Sequence, residues 1–191
     1  MTLRLDHVFC FVDDPGDAVA RVESAGYELD AGITHPGQGT RNRRLILAEQ
    51  YLELVWVHDP AEAAANPLGL HRRAAWEETG ASPIGIALLG RPEDTSRYWL
   101  YDALGFPIWV READERAPLV FTLDVPPRDR VRPSLALREV IVGAPVPLEL
   151  PSFAGPPVTS DVGPHRLELV LSDGRSVAWA NGGIEGGPGP G

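Results

Sequence analysis

The chain has 191 residues, 43% hydrophobic and 23% charged, enough for one large domain or two small ones around a shared core. A formal net charge of −10 argues against a nucleic-acid grip, which needs clustered basic side chains to neutralise phosphates. All 17 basic residues are Arg, which removes Schiff-base lysine chemistry, and the single cysteine, Cys10, excludes an internal disulfide and fits a reducing compartment.

The apolar runs Leu52–Val57 and Ile84–Leu89 are too short to span a bilayer. Met1-Thr2 leads straight into a strand pattern without the basic and apolar regions of a signal peptide, so a cytoplasmic protein is expected. That first strand, Leu3–Val12, alternates: Leu3, Leu5, His7, Phe9 and Phe11 are assigned to one face, and Val8, Cys10 and Val12 to the other. Asp14-Pro15 then reads as a helix start, with Ala18, Val22 and Ala25 as its apolar stripe and Gly26 as its stop.

A turn-rich loop, His35-Pro36-Gly37-Gln38-Gly39-Thr40, precedes two strands, Arg43–Ala48 and Tyr51–His58. In the second of these Tyr51, Glu53, Val55 and Val57 share a face opposite Leu52, Leu54 and Trp56, as in a strand buried on both sides. Residues 61–82 read as a helical connector opened by Asp59-Pro60. A second unit over 83–181 repeats the landmarks: a strand at Pro83–Leu89, then a helix from Pro92 to Leu104 closed by Gly105. The offset is 77 residues from Pro15 to Pro92 and 79 at the helix ends, which implies a duplicated module. Strands are expected at Leu119–Val125, Leu135–Val142, His165–Leu171 and Ser176–Trp179, with Asp173-Gly174 as a hairpin turn and a structureless tail over 182–191.

Three linked motifs carry a resemblance: Leu5-Asp6-His7-Val8, then His35-Pro36-Gly37-x-Gly39-Thr40-x-Asn42-Arg43, then Tyr51-Leu52-Glu53-Leu54. In order and spacing, over about residues 4–60, they resemble the glyoxalase-like domain of the vicinal oxygen chelate superfamily. The resemblance implies an α+β fold of paired βαβββ modules, with a curved mixed or antiparallel sheet enclosing a pocket. The first module is expected over 1–60. In metal-dependent members the two modules together supply four ligands to one divalent ion; here His7 matches the first-strand ligand and Glu53 the last-strand ligand. The second module departs from the pattern, since offsets of 77 or 79 place Ile84 or Ile86 opposite His7. Glu139, Glu149 and Glu168 are the acids available to it.

His7 by itself is more often a hydrogen-bonded core residue, whereas Glu53 interrupts an apolar strand, where a carboxylate needs a partner, a metal or a proton. An ion pair with Arg43 or Arg44 is its bland role; metal ligand or general base are its functional ones. Around the glycine-rich loop, His35, Thr40, Asn42 and Arg43 are the candidates for binding substrate, with Arg43 as an anchor for an anion and the amides of Gly37 and Gly39 beside it. Arg44 is assigned to a solvated edge, and Cys10 to the core.

Two functions follow. One is a lyase, isomerase or dioxygenase-type enzyme acting on a small oxygen-rich anion, with one divalent metal (Zn, Fe, Ni or Mn) on His7 and Glu53. The other is a metal-free module that binds or sequesters a small molecule. Either would work as a monomer or homodimer, with a small-molecule ligand and neither nucleic acid nor membrane as partner.

Overall fold

In the computed structural model, which describes residues 2–103, 106–125 and 133–188, strand β1 (Leu3–Phe11) lies in the middle of a nine-stranded sheet. The first module continues through α1 (Pro15–Ser24), β2 (Thr34–His35), β3 (Thr40–Ile46) and β4 (Tyr51–Val57). Three short helices follow, α2 (Pro60–Ala65), α3 (Leu70–Ala74) and α4 (Trp76–Thr79). The second module supplies β5 (Ile84–Leu89), β6 (Tyr98–Asp102), β7 (Pro107–Arg111) and β8 (Leu119–Leu123). β1 pairs with β4 in parallel, and β5 pairs with β8 in parallel; the neighbours in each outer trio, β2–β3–β4 and β6–β7–β8, are antiparallel. The antiparallel contact of β1 with β5 joins them, giving the order β2-β3-β4-β1-β5-β8-β7-β6, symmetric about its centre. This is the paired-module α+β architecture that the motifs imply.

The two modules differ on the back of the sheet. Asp14 caps α1 by accepting the N–H groups of Gly16 and Asp17, and Ala18 and Val22 bury the stripe that holds the helix on the sheet. The helix expected from Pro92 does not form: residues 98–102 are strand β6, while Leu104 and Gly105 lie outside the described residues. Tyr98-Trp99-Leu100-Tyr101 is a run of aromatic residues with strand preference and no apolar stripe of helical period, and pairing with β7 decides the outcome.

A second sheet of five strands takes the helix's place: β9 (Leu137–Ala144), β11 (Val158–Val162), β12 (Arg166–Leu171), β13 (Arg175–Ala180) and β14 (Gly183–Pro188), in the order β11-β9-β12-β13-β14. The two-residue β10 (Phe153–Ala154) instead joins β1. Val140, Val142, Leu167, Leu169, Leu171 and Trp179 of this second sheet share one core with Val8, Cys10, Ile84, Ile86 and Leu88. The tail expected over 182–191 is therefore corrected up to Pro188. Gly183–Pro188 pairs along the whole of β13, and Ile184, its one apolar anchor, is 1% exposed beside Trp179. Residues 189–191 lie outside the described residues. No helix is long and apolar enough to cross a membrane among the described residues.

Strand β1 corrects the expected alternation. Leu5 pairs with Leu88 and His7 with Ala87, so Asp6 is an extra residue, a β-bulge. Leu3 and Leu5 consequently face the same core as Val8, Cys10 and Val12, while His7, Phe9 and Phe11 turn to the other side.

Candidate functional site

The concave side of the large sheet holds a cavity of about 150 Å³, a size at which apolar cavities take a benzene-sized ring. His7 and Glu53 both line it from adjacent strands, at 6% and 7% exposure, as their strand periodicity requires. The bulge brings Asp6 to the same cavity, and its Oδ2 lies 2.7 Å from His7 Nδ1. An ionised carboxylate there accepts from Nδ1–H, which leaves Nε2 as an acceptor for a ligand. Tyr51 stacks on the His7 ring at 4.4 Å and fixes its plane. The Asp6 contribution was hidden in the sequence, because neighbouring residues on a regular strand point to opposite faces.

Glu53 is unusual. Its carboxylate makes no hydrogen bond or ion pair among the described residues. Arg44, directly opposite on β3, lines the cavity but closes on Asp30 instead, at 2.5 Å. Burial lowers the Arg44 pKa, but the hydrogen bond and charge of Asp30 more than offset this, with Glu53 adding, and the guanidinium stays firmly charged.

His35 and Thr40 also reach the cavity. Asn42, fully buried, accepts the Ile33 N–H through Oδ1, which turns its amide nitrogen to His35 Nε2 at 3.3 Å. Nε2 is then an acceptor, so His35 carries its proton on Nδ1 and donates it to Thr40 Oγ1 at 2.9 Å. Both ring nitrogens are engaged in a neutral imidazole. Burial holds the His35 pKa below its ordinary value against the pull of Glu53, with His7 and Arg44 acting in the same sense as burial. Asn42 therefore orients His35 from behind rather than lining the cavity.

The expected anion anchor is corrected. On β3 the alternation puts Arg44 on the cavity side and Arg43 on the other, where Arg43 donates to the carbonyls of Asp30 and Leu29 and faces Glu23. The amides of Gly37 and Gly39 are also committed, donating to the two carboxylate oxygens of Glu62 on α2 at 2.6 and 2.8 Å. Gly39 has φ 66°, and a Cβ there would meet the backbone of Ala63 at 2.3 Å, so this turn needs glycine to sit against α2. What read as an anion cradle already holds an internal carboxylate.

Among the described residues, the second module brings only apolar groups to the cavity. Ile84 and Ile86 face the core, and the cavity side of β5 is Gly85, Ala87 and Leu89. Leu119, Phe121 and Leu123 line it from β8. Glu139 bonds Thr159 on the second sheet, Glu149 pairs with Arg97 and Arg111, and Glu168 lies on β12; none lines the cavity.

A divalent ion, which the resemblance implies, does not fit this donor set. His7 offers one nitrogen and Glu53 one carboxylate, while Asp6 is engaged by His7 Nδ1 and His35 has both nitrogens taken. No group of three or more His, Cys, Asp or Glu is placed to hold a metal among the described residues. Two protein donors fall short of the sets that bind such ions tightly.

A symmetric pair of modules around one cavity defines the vicinal oxygen chelate class of fold. A family model, the glyoxalase-like domain, matches residues 5–137, and the chain belongs to that family. No curated protein matches in sequence. Among solved structures, a hypothetical protein from Staphylococcus aureus is 12% identical with a TM-score of 0.63, covering 96% of this chain and 98% of that one, so the likeness extends over both sheets. A hypothetical protein from Bacillus halodurans is 15% identical, TM-score 0.48, over 69% of this chain and 100% of its own. Methylmalonyl-CoA epimerase from Mycobacterium tuberculosis is 14% identical, TM-score 0.43, over 63% and 86%.

Proposed function

We propose that the protein is a metal-independent small-molecule binding module of the glyoxalase-like domain family. The carrying observation is a two-faced cavity: Glu53 stands buried and unpartnered beside the Asp6-held His7 on one wall, and Leu119, Phe121 and Leu123 form the other. A compact amphipathic ligand would set its apolar body on the second module and its polar end on the first. With Arg43 turned away and the Gly37 and Gly39 amides occupied, the case for a small anion loses its main supports. Cys10, single and wholly buried, suits a reducing compartment, and we place the protein in the cytoplasm.

The test is calorimetric titration with neutral ring-sized probes such as benzyl alcohol, on the native chain and on Leu119→Trp, which fills the cavity. Binding by the native chain and its loss in a variant with unchanged circular dichroism is the expected result. Equal binding by both would place the ligand elsewhere. Tight, equimolar zinc uptake that disappears in His7→Ala would restore a metal-dependent enzyme.

One observation favours a second reading, an acid–base enzyme of lyase or isomerase type. A carboxylate-oriented imidazole next to an unpartnered carboxylate is an arrangement that can move a proton across a bound carbonyl compound. Deuterium exchange into bound small ketones, lost in Glu53→Gln, would move the assignment there.

A further inference from the structure

Of the charged and polar groups around the cavity, most are already satisfied within the protein. The Arg44 guanidinium is closed on Asp30, and Arg43 is bound to carbonyls on the far side of its strand. His35 is held neutral between Asn42 and Thr40, so it offers Glu53 no positive charge. Asp6 is engaged by His7 Nδ1 at 2.7 Å and so is not free for a ligand. Among the described residues, the Glu53 carboxylate is left with neither a hydrogen bond nor an ion pair, in a site where a buried, unpaired charge is costly. The hydrogen-bonding polarity is equally one-sided, because Glu53 and His7 Nε2 both accept. Among the described lining residues, Gln38 is the one side chain whose amide offers both donors and an acceptor.

From this we infer that the ligand is an organic ammonium, a protonated primary or secondary amine on a ring-sized apolar body, whose N–H groups go to Glu53 and His7 Nε2. The inference rests on the binding reading above and gives it a ligand class. Phe9, Phe11, Phe106 and Phe121 line the same space, so the cation meets ring faces as well as a carboxylate. An amine of this kind, with a pKa near that of lysine, is charged at neutral pH. A carboxylate or phosphate in its place would meet Glu53 with no free cation among the described lining residues to offset it.

A matched series tests it: benzylamine, benzyl alcohol and benzoate, titrated calorimetrically into the full chain at neutral pH, then into Glu53→Gln. A charge-assisted contact predicts benzylamine binding about tenfold or more tighter than benzyl alcohol, with benzoate weakest. In Glu53→Gln the preference for the amine should vanish while benzyl alcohol still binds. If the alcohol binds the native chain as well as the amine does, or benzoate binds best, the inference is overturned and the binding reading stands. If no member of the series binds, both fall. The native-chain ranking decides the matter without depending on how the variant folds.

Discussion

On the first module's side of the cavity, β1, β3 and β4 present Asp6, His7, Thr40, Arg44 and Glu53; on the second module's side, β5, β7 and β8 present Leu89, Ile108, Leu119, Phe121 and Leu123. The strand pairings are the same on both sides, so the backbone asks only for alternating residues and tolerates either chemistry. The polar wall brings a requirement that the apolar wall lacks. Several of its groups are held from behind: His7 by Asp6, Arg44 by Asp30, the neighbouring His35 by Asn42, and the turn before Thr40 by Glu62. The apolar wall is held by packing alone, against Phe9, Phe11 and Val55 in one cluster. Duplicated modules can thus diverge by concentrating supported polar groups on one side and leaving the other as a hydrophobic surface.

The largest expected effect lies behind the sheet. Truncation before Gly182 removes β14 with Ile184 and exposes Trp179; loss of such packing costs about 3 kcal/mol or more. The thermal midpoint should fall by many degrees, and an unchanged midpoint would show the second sheet to be independent of β14. Next comes the polar wall's support. Asn42→Ala strands the Ile33 N–H and releases His35, at about 1–3 kcal/mol by denaturant unfolding. Phe121→Ala, on a wall that already faces a cavity, should cost less than a core Phe; an equal loss would erase the distinction between the walls.

Glu53→Gln should move in the other direction. Removing a buried charge that has no partner stabilises the ligand-free protein by about 1 kcal/mol, the usual trade between stability and function. A destabilised variant would mean that Glu53 has a counter-ion after all. The smallest effect is on pH. Burial, the largest cause, holds the pKa values of His35 and His165 below 6.5, so below pH 6.5 the unfolded chain takes up more protons than the folded one. Stability should be level above that pH and decline beneath it until the folded-state values are passed. His35→Gln should flatten part of the decline in midpoint against pH.

Much of this was legible. His7 and Glu53 fall on cavity-facing strand positions that alternation alone assigns, and Cys10 falls on the opposite face as expected. The Pro15 helix was legible because its cap, stripe and glycine stop agree. At Pro92 the proline and glycine landmarks recur without the stripe, and landmarks mark where a chain turns, not what lies between. Arg43 and Arg44 carry the same charge on adjacent residues, so choosing between them requires the strand's phase, which the motif does not give. For β14, five of the six residues are Gly, Pro or Glu, and the ladder with β13 outweighs their poor strand preference.

The bulge at Asp6 can be viewed as an insertion that the fold could do without. If Asp6 were deleted, Leu5, His7 and Val8 would follow one another in strict alternation, core, cavity, core, with every side chain on its present face. The shortened strand should therefore still assemble and still aim His7 into the cavity. What it would lose is the carboxylate at the ring's other nitrogen, and with it the means of deciding which nitrogen bears the proton. A length change of one residue in this strand is in effect a change of histidine tautomer, available without altering any other part of the sheet.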